Sequence, residues 1–197
     1  VERGSDQKVI DFQEKPLNPK SNFASLGIYL IKRKLLIELL EDSAAHGYFD
    51  FVKDILIRRI NELRLYAYEF KGYWRPLSTI QLYYRANMEL LDPAVRYELF
   101  VKNGKVFTKV KDEPPAKYNE EATVKNTIVA DGCIIEGNVE NSILFRGVKI
   151  RRGAVVRNSI IMQNAEVFEN ASLNNCILDK NVAISFGKQL NGDRNWP

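Results

Sequence analysis

From residue 122 onward, one repeat governs what this chain can fold into. "NTIV" at 126, "NSIL" at 141, "NSII" at 158 and "NCIL" at 175 share the form Asn, small residue, Ile, aliphatic, and they begin 15, 17 and 17 residues apart. Within these repeats Leu144, Ile150, Val156, Ile161, Val167, Leu173, Leu178 and Ile184 step by 6, 6, 5, 6, 6, 5 and 6 residues. Compact residues such as Ser142, Ala154, Ser159, Ala165, Ala171 and Cys176 stand two places before an aliphatic one. This is the hexapeptide pattern of a parallel β-helix, in which three short strands make one turn, the aliphatic side chains fill the interior, and equivalent positions stack coil on coil. Asn126, Asn141, Asn158 and Asn175 are expected to form a ladder at one corner, through turn chemistry and side-chain stacking rather than ligand binding. Cys133 and Cys176 fall at small inward positions and read as reduced structural thiols, since two cysteines make neither a disulfide framework nor a metal site. The stretch "LNGDRNWP" shows no obvious cap for the last coil, so packing against the first domain or an oligomer is expected.

Residues 1–100 have a different texture, mixed α and β. "KVIDFQEK", "FASLGIYLI" and the alternating "RLYAYEF" read as strands. "KRKLLIELLED" groups Leu35, Leu36, Leu39 and Leu40 on one helical face. "DFVKDILIRRINEL" carries Val52, Leu56, Ile60 and Leu63 at helical spacing, and "TIQLYYRANMELL" does so with Ile80, Tyr83, Tyr84, Met88 and Leu91. Such stripes belong to a core and receive no functional role. The polar segment 101–121, with a turn at Asn103-Gly104 and the pair Pro114-Pro115, reads as a linker to the β-helix domain at 122–197.

With 45% hydrophobic residues the chain can bury a core, yet it has no apolar run long enough for a membrane span and no signal peptide at "VERGSDQKV". A cytoplasmic protein is expected. The charge excess, 29 − 25 = +4, comes from dispersed basic residues that are not interleaved with aromatics. That argues against nucleic acid as a partner and leaves an anionic small molecule open.

"FQEKP", "NFASLGIYLI", "FDFVKD", "GYWRPLST" and "PPAKY", in that order ahead of the repeat, resemble the C-terminal half of bacterial glucose-1-phosphate adenylyltransferase. Within that family the chain is most similar to the glycogen-biosynthesis D-type (GlgD) subunit. The resemblance implies an α/β fold, the C-terminal part of a Rossmann-like nucleotidyltransferase domain, followed by a left-handed parallel β-helix. It implies the reaction of ATP with glucose 1-phosphate to give ADP-glucose and pyrophosphate, with Mg²⁺ neutralising charge, a chemistry of positioning and electrostatics. It assigns Glu14 and Lys15 to the sugar phosphate, Ser25 and Gly27 to the sugar, and makes Asp50, Trp74 and Arg75 possible site residues.

The resemblance also implies two departures. Catalytic members carry Trp-Arg-Asp where this chain reads Trp74-Arg75-Pro76, and the missing aspartate is the one that helps hold the metal. Mg²⁺ needs oxygen donors and a proline side chain has none, so no catalytic residue is assigned and this chain is expected not to hold the metal by itself. The family's glycine-rich ATP loop is absent, since the eleven glycines are scattered and Gly4 has no partner. The chain is therefore expected to begin within its first domain and to be part of a longer protein.

Three functions follow. The first is a regulatory, non-catalytic subunit that partners a catalytic one or self-associates; the second is an active adenylyltransferase with a substituted metal ligand. The third, a hexapeptide acyltransferase, needs a histidine base on the β-helix, whereas the one histidine, His46, lies in the first half. Arg33, Lys34, Lys149, Arg151 and Arg152 are candidate contacts for an anionic effector where the domains join, with solvated surface charge as the simpler reading.

Overall fold

The structure is a computed structural model that describes residues 1–102 and 104–193. Asn103, half of the turn expected at Asn103-Gly104, and residues 194–197 of the C-terminal stretch lie outside the described residues. The chain forms two compact units, Val1–Lys71 and Gly72–Pro197.

In the first unit Glu2–Arg3 pairs antiparallel with Val9–Asp11. Leu65 and Ala67 flank this hairpin, with Val9 N–H donating to the Leu65 carbonyl at 2.9 Å and Ala67 N–H to the Gln7 carbonyl at 2.8 Å. "KVIDFQEK" thus yields a three-residue strand, and "RLYAYEF" a single bridge from Tyr66 to Lys8. "FASLGIYLI", expected to be a strand, has no regular structure, and Ile28 and Leu30 are exposed. β-Branched and aromatic composition makes a strand only where a neighbour supplies the ladder, and among the described residues none pairs with this segment.

Helix α1, Arg33–Ala45, buries Leu39 and Ser43, while Leu35 and Leu40 of the expected stripe are exposed. It ends at His46, and Gly47 follows at φ 72°, the left-handed conformation that glycine enters without a Cβ penalty. The next expected helix is a wide π-type turn, Phe51–Ile57, burying Ile55 and Leu56. Val52, Ile60 and Leu63 stay only partly buried. Asp50 caps this turn, its Oδ1 accepting from the backbone N–H of Val52 (2.9 Å) and Lys53 (2.8 Å).

The second unit holds α2, Ile80–Glu89, capped by Thr79 Oγ1, and α3, Pro93–Tyr97, capped by Asp92 with proline at its first position. Residues 104–116 carry no helix or strand. Beyond them a parallel solenoid is built from three ladders. One runs through Thr123–Lys125, Asn138–Glu140, Val155–Arg157, Ser172–Asn174 and Gln189–Asn191; a second through Ile128–Val129, Ile143–Leu144, Ile160–Ile161 and Ile177–Leu178; the third from Lys117–Tyr118 to Ala183–Ile184. Register stacks like on like: Val156 lies between Val139 and Leu173, Ile161 between Leu144 and Leu178, and Val167 between Ile150 and Ile184.

All eight aliphatic positions of the repeat are buried, and Cys133 and Ala154 fill the small positions beside them. Burial pushes the Cys133 thiol above its usual range, consistent with an inert interior thiol. At the corners Asn126, Asn141, Asn158 and Asn175 adopt φ of 46–53°, and Asn126 Nδ2 donates to Asn141 Oδ1 at 2.8 Å. Left-handed backbone costs most residues about 1–2 kcal/mol, and asparagine is the side-chain-bearing residue that enters it most readily. A second corner uses Gly132, Gly147, Asn164 and Asn181 in the same conformation.

Ile143 and Ile160 are buried but stand outside the interior cluster, on the outer face of their ladder. Tyr84 of α2 is buried, and its hydroxyl donates to the carbonyl of the corner residue Asn158. Compactness therefore groups α2 and α3, read from sequence with the residues before them, with the solenoid.

Candidate functional site

The first unit contains a half-open cleft of about 590 Å³ that gathers Glu14, Lys15, Ser25 and Gly27, with Tyr29 and Val52 on its wall. The two short segments that carry these residues are irregular backbone, and two of the four sit in left-handed conformations, Lys15 at φ 47° and Gly27 at φ 72°. For Gly27 this costs nothing. For Lys15 it stores about 1–2 kcal/mol, a local strain of the kind found at ligand sites. Ser25 Oγ lies 3.3 Å from Tyr29 Oη and accepts from Gly27 N–H at 3.3 Å, which closes a tight turn around the serine. Tyr29 in turn packs its ring against Phe51 at 5.3 Å.

Glu14 is half-buried, and its Oε2 is shielded from water without accepting a hydrogen bond. The ammonium of Lys53 stands 3.6 Å from that oxygen and 4.0 Å from Asp50 Oδ2. Asp50 does not line the cleft; it caps the turn that presents Lys53, and Asp54 returns the favour by accepting from Asp50 N–H at 3.0 Å. Lys53 and Tyr29 are the residues here that sequence reasoning missed. The pattern Asp-x-x-Lys at a helix start was the available signal for Lys53. Elsewhere on the rim Lys20 pairs with Asp11 at 2.8 Å, its hydrogen bond holding the Asp11 carboxyl below the ordinary carboxylate range.

Trp74, Arg75 and Pro76 belong to the second unit. Glu89 of α2 accepts from Tyr73 Oη at 2.6 Å and from Arg75 Nε at 2.8 Å, and Glu98 accepts from Tyr73 N–H at 2.7 Å. Burial, followed by the Glu89 hydrogen bond and charge, pushes the Tyr73 hydroxyl up to about 12. The segment is tied to α2 through these bonds. The Pro76 side chain offers no oxygen to a divalent cation, its neighbour Arg75 is itself cationic, and Glu89 is engaged by two donors. The residues at this position do not fit Mg²⁺. Among the described residues no group of three or more His, Cys, Asp or Glu side chains is disposed to hold a metal ion.

Of the five cationic residues considered for an effector, Arg33 and Lys34 lie on α1 of the first unit and the others on the solenoid. Arg151 contacts Glu166 at 2.5 Å and Glu136 at 3.8 Å, Arg152 contacts Glu121 at 3.8 Å, and Lys34 contacts Glu38 at 3.9 Å. Carboxylates already face three of the five, which lowers their attraction for an anion.

Chemically, the cleft presents a carboxylate, an ammonium, a hydroxyl and a bare backbone turn, a set suited to a polyhydroxylated anion. Among its described lining residues no nucleophile is paired with a base.

Two family models match the chain: Nucleotidyl transferase over residues 1–93, and the GlmU-like C-terminal hexapeptide over residues 114–195. Among curated proteins it is similar to the glucose-1-phosphate adenylyltransferase of Fervidobacterium nodosum, 41% identical over 92% of this chain and 44% of the relative. That of Acetivibrio thermocellus is 37% identical over 96% of the chain and 45% of the relative. That of Thermosipho melanesiensis is 39% identical over 77% and 37%. The chain thus spans less than half the length of the curated relatives it matches. The chain is similar to the glucose-1-phosphate adenylyltransferases, with a nucleotidyltransferase match ahead of a hexapeptide solenoid.

Proposed function

We propose that this chain is the C-terminal part of a D-type, non-catalytic subunit of the glucose-1-phosphate adenylyltransferase family. On this reading it serves glycogen biosynthesis by pairing with a catalytic subunit in the cytoplasm and tuning the conversion of ATP and glucose 1-phosphate to ADP-glucose and pyrophosphate. The observation that carries the reading is Pro76, which puts an apolar ring where the resemblance calls for a metal-binding carboxylate. The segment around it is held by Glu89 and Glu98, partners that need no metal.

The cleft keeps a sugar-phosphate role in this reading. Lys15 supplies a compact charge for the phosphate, Glu14 accepts from sugar hydroxyls, and Ser25 and Gly27 let the ring approach the backbone. Among the described residues no helix is long and apolar enough to cross a membrane.

Pro76→Asp in the full protein that carries this chain tests the proposal. A gain in Mg²⁺ binding and ADP-glucose synthesis supports a retired metal site, and no change in either contradicts it. The intact grouping of Glu14, Lys15, Ser25 and Gly27 favours a second reading, an active subunit whose metal ligand lies elsewhere. Turnover by the full protein without a partner would establish that one. The acyltransferase reading gains no support, because His46 sits at the end of α1 in the first unit, with its Nδ1 2.8 Å from the Asp42 carbonyl.

A further inference from the structure

We infer that Lys53 is a positioning residue whose charge lets the cleft accept a doubly charged phosphate ester beside Glu14. The inference rests on the sugar-phosphate reading of the cleft. Glu14 and Lys15 are adjacent in the chain and both line the cleft, so a phosphate drawn to Lys15 comes close to the Glu14 carboxylate. Like charges at that range repel, the more so the further water is excluded. A cation on Glu14 removes the conflict. Lys53 is that cation: its ammonium is 3.6 Å from Glu14 Oε2, the oxygen that is shielded from water and accepts no hydrogen bond.

The placement of Lys53 is itself built. Its backbone N–H donates to Asp50 Oδ1 at 2.8 Å, which fixes the residue in the first turn after the cap, and its ammonium spans to Asp50 Oδ2 at 4.0 Å. Glu14 and Asp50 contribute two negative charges, and Lys15 and Lys53 two positive ones. Without Lys53 the Glu14 carboxylate stands uncompensated beside the phosphate. With it the group is neutral, and Lys15 is left to the phosphate. Its side chain is largely exposed, so its removal leaves no buried cavity, and the substituted protein keeps its fold.

The test is calorimetric binding of glucose 1-phosphate to the full protein and to K53M, K53R, E14Q and the E14Q/K53M pair. The expected results are an affinity about tenfold weaker in K53M, recovery to within about threefold in K53R, and little further loss when K53M is added to E14Q. Equal affinity of K53M and the unsubstituted protein overturns the role of Lys53 while leaving the cleft reading intact. A loss as large in the E14Q background as outside it also overturns the role, because Lys53 would then act without Glu14. Absence of glucose 1-phosphate binding by the unsubstituted protein overturns the cleft reading, and the inference with it.

Discussion

Tyr84 on α2 donates its hydroxyl to the backbone carbonyl of Asn158 across 2.6 Å, joining a helix to a corner of the solenoid 74 residues later in the chain. Asn158 is one of the left-handed corner residues and Tyr84 is buried, so the bond fixes the helix at a backbone atom that cannot shift without opening a coil. Tyr84→Phe keeps the ring and removes the donor. It is expected to cost about 1–2 kcal/mol in urea unfolding, whereas a change under about 0.3 kcal/mol would show the bond to be incidental.

The Tyr73 hydroxyl, pushed up to about 12 by burial and by Glu89, ties the stability of this segment to alkaline pH. The folded protein holds this proton more tightly than the unfolded chain. Its contribution is therefore complete below the unfolded value near 10 and is lost as pH rises from there through about 12. Glu89→Gln removes the charge and leaves the burial, so the phenolate absorbance of Tyr73 should appear at lower pH than in the unsubstituted protein. An unmoved titration would mean that burial alone sets it.

Two glycines of the solenoid separate crowding from backbone conformation. A Cβ on Gly137 would lie 2.4 Å from the Ala154 carbonyl oxygen and 2.7 Å from that of Arg151, both backbone atoms that cannot step aside. Gly137→Ala is expected to destabilise by about 3 kcal/mol or more. Gly187, at φ 63° with open space around it, should lose only the left-handed penalty of about 1–2 kcal/mol on the same substitution. Thermal unfolding of the two variants ranks them, and the reverse order would contradict the coil packing.

The solenoid was legible because its period is enforced by stacking. A residue at Val156 must match Val139 and Leu173, so the interior pattern survives in one dimension. The outward isoleucines were less so. Ile143 and Ile160 carry the same letters as interior residues, yet they are buried outside the interior cluster. In the first unit, strand composition at 23–31 met no partner ladder and stayed irregular. The cleft residues could be named from motifs, but the reach of Lys53 to Glu14, 39 positions back in the chain, depends on how the turn at Phe51–Ile57 is set by its Asp50 cap.

ADP-glucose synthesis by the full protein, alone and then mixed with a catalytic subunit from the same cell, tests the regulatory reading most directly. No turnover is expected from the protein alone, and activity in the mixture should exceed that of the catalytic subunit by itself. Turnover by the protein alone would contradict that reading and make Pro76 a substitution the enzyme tolerates.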